Sequence, residues 1–177
     1  WLQPRRKGLN SLRGHFRKME IKIRKAKLSD IPSIEKLGRK TKEFVVSKKI
    51  RFYEREELED WIKNPANNTF LIALKGNKVV GFLFSKIISP HWAMADNMVV
   101  SKEYRNKGVG NLLLNKYYQI LQENKISYIS GLVGIDYFPI RKFWKKMGFN
   151  EGKAFIWIEK FLNENVEPDK IQNSKTL

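Results

Sequence analysis

Val99-Val100-Ser101-Lys102-Glu103-Tyr104-Arg105-Asn106-Lys107-Gly108-Val109-Gly110-Asn111-Leu112-Leu113-Leu114 takes an apolar, β-prone run through a basic turn containing glycine and into a helix-compatible apolar pattern. That order of strand, glycine turn and helix builds a site for a diphosphate. Glycine lets the backbone come close to phosphate oxygens, and the first N–H groups of a helix point outward without intrahelical partners. Arg105 and Lys107 add positive charge at the same place. A short Gly-x-Gly alone is weak evidence; the strand before it and the helix after it give it weight.

At these residues the chain resembles the GNAT superfamily of N-acetyltransferases, whose signature is Arg/Gln-x-x-Gly-x-Gly/Ala after the fourth strand. Arg105, Gly108 and Gly110 match it without gaps. Downstream, Tyr137-Phe138-Pro139-Ile140-Arg141-Lys142-Phe143-Trp144-Lys145-Lys146-Met147-Gly148-Phe149 is similar to the family's second helix-and-turn element and keeps its Gly-Phe ending. The resemblance runs from about Ile21 to Phe161, nearly one domain of ordinary size. It implies an α/β GNAT fold: a mixed, mostly antiparallel central sheet flanked by helices on both faces.

The rest of the chain agrees. Glu20 to Lys25 alternates apolar and polar residues and reads as a strand. Ser29-Asp30-Ile31-Pro32 reads as a helix start with a capping side chain and an early proline. Glu54 to Ile62 forms another helix, stopped at Asn64-Pro65. Thr69 to Leu74, the Gly76-Asn77 turn and Val79 to Phe84 form a β-hairpin. After the strand ending at Val100 come a helix from about Val109 to Glu123, a strand over Tyr128 to Gly134 and a helix over Pro139 to Met147. Phe149 and Ala154 to Phe161 are expected to close the sheet.

The 177 residues suit one domain with a proper core. We expect a basic extension over residues 1–18 (a cloning remnant, a read-through or a basic arm), the domain over 19–162 and a polar, disordered tail over 163–177. Zero cysteines exclude disulfides, thiol nucleophiles and cysteine-ligated zinc. The two histidines, His15 and His91, are too far apart to suggest a metal site, and no metal is expected. No apolar run reaches membrane-span length, so a cytoplasmic protein without a membrane partner is expected, as a monomer or homodimer. Abundant lysine, isoleucine and glutamate would also suit a thermophile.

The net charge of +17 has two readings. Arg5, Arg6, Lys7, Arg13, Arg17 and Lys18 stand in the first 18 residues with no acid beside them, and the remainder of the chain is still strongly basic. Such a surface steers in a phosphate-bearing carrier, and it equally attracts RNA. Charge alone does not decide.

The resemblance implies acetyl transfer from acetyl-coenzyme A to a primary amine on a protein N-terminus, a lysine or a small molecule, by direct attack in a ternary complex. Met98, Val99 and Val100 would pair with the donor's pantetheine arm, and an N–H near Met98 or Val99 would polarise the thioester carbonyl. Asn106, Lys107, Gly108, Val109, Gly110 and Asn111 would wrap its diphosphate. Lys142 and Lys145 either reach its adenosine end or form a solvated helix face.

The base candidate is Asp96, acting through water, with Glu43 and Glu54 as fallbacks; the alternative for Asp96 is an ordinary turn aspartate beside Asn97. Trp144 stands where the family often has a tyrosine that protonates the leaving thiolate, and an indole N–H is no proton source. Tyr137 either substitutes as that donor or packs, and Ile140 replaces a usual alanine along the cofactor wall. His91 and Trp92 either border the acceptor pocket or lie on the surface. Arg39, Lys40, Lys42, Lys48, Lys49 and Arg51 disfavour a polycationic acceptor and favour one bearing acid groups or attached to RNA, or else form a solvated loop. Two other classes stay open: a non-catalytic coenzyme A-binding regulator, and an RNA- or ribosome-associated basic module.

Overall fold

Leu71 and Ala73 of one strand face one hydrophobic core, while Phe70, Ile72 and Leu74 of the same strand face another. A strand buried on both faces is the central element of a three-layer fold. This computed structural model describes residues 20–44, 47, 50 and 52–162. The basic extension and the tail lie outside the described residues, as do Lys48, Lys49 and Arg51.

Five strands lie side by side in chain order: β1 (Lys22–Lys25), β2 (Asn68–Lys75), β3 (Lys78–Ser89), β4 (Trp92–Val100) and β5 (Tyr128–Gly131). The first three pairings are antiparallel and β4 pairs with β5 in parallel. The sheet is therefore mixed and mostly antiparallel. Helices α1 (Ile31–Arg39) and α2 (Arg55–Lys63) cover one face, where Ile31, Ile34 and Leu58 bury against Phe70, Phe82, Phe84 and Val99. On the other face, α3 (Val109–Glu123) buries Leu113, Leu114, Tyr117 and Leu121, a stripe at helical spacing. Phe143, Trp144 and Met147 of α4 (Phe138–Lys146) and its C-terminal cap pack at the margin of that second core.

Three expectations need correction. Asp30 does not cap α1 through its side chain. Its carboxylate instead accepts both Arg24 Nη1 (2.7 Å) and Nη2 (2.9 Å) and the Lys27 N–H (2.7 Å), tying the end of β1 to the turn before α1. Burial by itself raises the Asp30 pKa, but the Arg24 and Lys27 donors outweigh it and hold it below the ordinary carboxylate value.

Residues 154–161 form no strand, so the sheet is not closed beyond β5. Phe155, Ile156 and Ile158 are 82%, 89% and 87% exposed. The continuous apolar run Ala154-Phe155-Ile156-Trp157-Ile158 suits a strand, but strand formation needs a partner ladder, and none forms at this edge among the described residues.

β5 also stops short of the expected Gly134. Its last pair is Ala95↔Gly131, while β4 continues to Val100. From Asp96 onward, no strand among the described residues lies beside the β5-side edge of β4.

Candidate active site

The open edge of β4 leads straight into the glycine turn. Ser101 N–H donates to the Val80 carbonyl at 2.9 Å, so Ser101 faces β3. Antiparallel alternation then turns the Val99 backbone toward β3 and the backbones of Met98 and Val100 toward the vacant side. Of the Met98 and Val99 N–H groups, the register points that of Met98 toward the vacant side. The Val100 carbonyl already accepts the Arg105 Nε–H at 3.0 Å. Arg105 Nη1 also lies 3.5 Å from Glu43 Oε1. The signature arginine therefore braces the end of β4 against the segment after α1.

In the turn, Asn106 and Gly108 both take left-handed conformations, with φ of 59° and 81°. Gly108 is the N-cap of α3, where a side chain would be strained, and nothing stands within 4 Å of where its Cβ would lie. That space lies directly over the helix start. No backbone carbonyl among the described residues accepts from the N–H groups of Asn106 to Asn111. The first carbonyl bond of the helix comes from Leu112 N–H to Gly108 at 3.0 Å. Successive free donors with alternating backbone handedness form an anion nest at the positive end of a helix fifteen residues long. Lys107 Nζ stands 5.8 Å from the Tyr104 ring centre, beside this nest. Gly110 serves packing as well, since a Cβ there would lie 3.1 Å from the Phe143 ring of α4.

Asp96 sits in a β-bulge. Phe84 pairs with Asn97 and Ser85 with Ala95, so Asp96 is the extra residue. The bulge turns two consecutive side chains, Asp96 and Asn97, to the α1–α2 side. Both meet Tyr53: its hydroxyl donates to Asp96 Oδ2 at 2.7 Å and accepts from Asn97 Nδ2. Burial, then the neighbouring Asp96 charge, pushes the Tyr53 hydroxyl well above its ordinary pKa, so it stays protonated. Lys86 Nζ approaches Asp96 Oδ2 to 3.6 Å. Asp96 Oδ1 makes no hydrogen bond among the described residues and is open to a water or a substrate proton.

The other expected residues divide. Tyr137 precedes α4, its N–H bonds to the Gly134 carbonyl at 3.0 Å, its ring lies against Gly134, and its hydroxyl bonds to no described residue. Trp144 packs edge-on to Phe143 and Phe149, with ring centres 5.6 and 4.8 Å away. Ile140 is half-buried on the same helix, and Lys142 and Lys145 are exposed one turn apart. Glu54 stands at the N-cap of α2 and 3.8 Å from Arg39, away from the bulge. His91 and Trp92 lie at the opposite end of β4, with Trp92 Nε1 bonded to Ser130 Oγ at 2.8 Å. Eight residues at ~3.3 Å each separate them from the glycine turn.

Sequence reasoning missed Tyr53, Trp61 and Lys86. The period of β3 does place Phe82, Phe84 and Lys86 on one face, a usable signal. The approach of Tyr53 and Trp61 to that face had none.

A family model described as the acetyltransferase (GNAT) family matches residues 34–149, from α1 through Phe149. The chain belongs to the GNAT acetyltransferase family. The GNAT fold is also what solved structures match. The PaiA N-acetyltransferase of Thermoplasma acidophilum, solved with coenzyme A, superposes with a TM-score of 0.68 at 22% identity, over 77% of this chain and 94% of that one. Ard1 from Thermoplasma volcanium gives 0.65 at 22% identity, over 75% and 84%. AAC(6′)-Iy, in complex with the bisubstrate analog CoA-S-monomethyl-acetylneamine, gives 0.64 at 14% identity, over 80% and 99%. No curated protein sequence matches this chain. As a GNAT N-acetyltransferase it uses acetyl-coenzyme A as acyl donor. The free donors of the turn, the space above Gly108 and the open edge of β4 fit that donor. No helix among the described residues is long and apolar enough to cross a membrane. Among those residues, no group of three or more His, Cys, Asp or Glu is placed to hold a metal ion.

Proposed function

We propose that this GNAT enzyme acetylates a primary amine by direct attack within a ternary complex assembled along β4. The observation that carries the reading is the continuity of the unpaired β4 edge with the donor nest at Asn106–Asn111. Met98 and Val100 present backbone groups to the pantetheine arm, and the nest takes the diphosphate. Lys142 and Lys145 are offered to its adenosine end. Bound there, acetyl-coenzyme A supplies the activated acetyl group.

The Met98 N–H polarises the carbonyl under attack. Holding both reactants along one strand supplies roughly 7–11 kcal/mol of the barrier reduction through orientation. A lysine-type amine of pKa ~10.4 is neutral in only about one molecule per thousand near neutral pH. Asp96, through its open Oδ1 and a water, accepts the ammonium proton, and the freed nitrogen lone pair then forms the new C–N bond. The C–S bond breaks, the acetylated nitrogen releases its second proton to solvent, and the departing sulfur takes a proton from the Tyr137 hydroxyl or from solvent. A thiol of pKa ~8.5 leaves tolerably even without an acid.

The test is acetyl-coenzyme A titration by calorimetry, followed by free-thiol release across a panel of amines. Binding with amine-dependent thiol release is expected. Binding without release for any amine would instead support a non-catalytic regulator, and no binding would end the donor assignment.

A further inference from the structure

Lys86 Nζ does more than pair with Asp96. It stands 4.7 Å from the Trp61 ring centre, 5.5 Å from Phe84 and 6.0 Å from Tyr53. Trp61 and Phe84 are stacked nearly parallel, with centres 4.1 Å apart, and Tyr53 meets Trp61 edge-on at 4.6 Å. Three aromatic rings and a carboxylate 3.6 Å away surround one ammonium group. Such a combination recognises a desolvated alkylammonium, with ring faces offering negative potential and a carboxylate supplying the counter-charge. The ammonium in it belongs to a side chain 40% exposed, on a flexible four-carbon stem that can swing into solvent.

Position gives the cluster its meaning. Asp96 is two residues before Met98, about 7 Å along β4, and beyond it the strand edge opens. A cation held here stands one short step from the carbonyl that Met98 would polarise.

We propose that this cluster is the acceptor-amine site, that Lys86 occupies it as a tethered mimic, and that the acceptor is a singly charged, unbranched alkylammonium of lysine-side-chain type. The inference rests on the acetyl-transfer reading above and adds the substrate class. The acceptor's ammonium displaces Lys86 Nζ, takes its place beside Trp61, Phe84 and Tyr53, and gives its proton through water to Asp96 Oδ1. The neutral amine then advances along β4. Lys86, displaced but near, repels a second positive charge, so a polyamine is a poorer acceptor than a monoamine. Among acceptors, an acid-bearing one gains nothing from the ring faces.

Calorimetry at fixed ionic strength on the full chain tests this, with n-butylammonium chloride as probe, n-butanol as its neutral counterpart and spermidine as the polycation. Lys86→Met keeps the stem and removes the charge, and it should bind n-butylammonium about tenfold tighter than wild type. The gain should vanish in Lys86→Met/Asp96→Asn, and n-butanol should not distinguish wild type from variant. Wild type should also prefer n-butylammonium to spermidine. No gain in Lys86→Met, or an equal gain for n-butanol, would overturn the proposal by showing a structural ion pair or a plain apolar hollow. Should Lys86→Met fail to fold, Trp61→Leu must weaken n-butylammonium binding by a similar factor or the proposal is lost. Acetyl-coenzyme A titrated into the same preparations separates the two readings: donor binding without ammonium binding sinks only the acceptor site, and the reverse sinks only the donor site.

Discussion

The Tyr53 hydroxyl donates to Asp96 across 43 positions of sequence, at 2.7 Å. The contact joins the segment before α2 to the bulge in β4 and aims one carboxylate oxygen while leaving the other open. If Asp96 is the base, Tyr53 is its positioning residue. Tyr53→Phe is expected to lower kcat several-fold without displacing the pH profile, because the carboxylate remains but is aimed less well. A displaced profile would show that Tyr53 itself takes part in proton transfer.

Asp96→Asn should reduce kcat/KM by about 10²–10⁴, the usual contribution of a general base. The sign of its pH dependence is set by the substrate. At about pH 6.5 nearly every alkylamine is protonated and the base is needed, whereas at about pH 9 a larger share is already neutral. The defect should therefore shrink as pH rises. A loss independent of pH would assign Asp96 to structure alone.

Gly110→Pro removes one donor from the nest, and a charge-assisted bond of that kind contributes ~1.5–3 kcal/mol. Acetyl-coenzyme A affinity should fall by about 10- to 100-fold. Gly108→Ala keeps its N–H but forces a side chain into φ of 81°, at a cost of ~1–2 kcal/mol. It should lower Tm and weaken donor binding together. Unchanged titration curves for both variants would refute the diphosphate assignment.

The Arg24–Asp30 pair predicts acid sensitivity. The folded pKa of Asp30 lies below its unfolded value, so the pair's stabilisation is fully present above about pH 4. It is lost as pH falls through the lower, folded value. Asp30→Asn should cost ~1.5–3 kcal/mol at neutral pH and flatten the melting curve against pH in the acid range. Thermal melts from about pH 2 to pH 7 read this directly.

At the alkaline end, Tyr117 and Ser85 share a buried 2.5 Å hydrogen bond under α3. Burial pushes the Tyr117 hydroxyl up to about 12. Because the folded value is raised, its stabilisation is complete below about pH 10 and disappears as pH rises through the folded value. Tyr117→Phe should cost ~1–3 kcal/mol by leaving the Ser85 hydroxyl unpaired, and should remove this alkaline step. A variant as stable as wild type would show that Ser85 finds another partner.

Much of the donor side was legible in the sequence because its information is local. The left-handed Gly108, the helix opening at Val109 and the strand ending at Val100 are set by neighbours within a few positions. The continuous apolar run of β2 and the apolar stripe of α3 declare their buried faces in the same way. Two local readings failed on non-local grounds: Asp30 turned from capping to Arg24, and residues 154–161 carry a strand-like apolar run but join no ladder among the described residues. Only the tertiary structure decided which backbone along β4 faces the gap, since one extra residue at Asp96 resets the alternation and the early end of β5 opens the edge. Only it brought Tyr53, Trp61 and Lys86 around Asp96. Contacts between residues tens of positions apart depend on how helices settle on a sheet, and no periodicity in the chain encodes that distance.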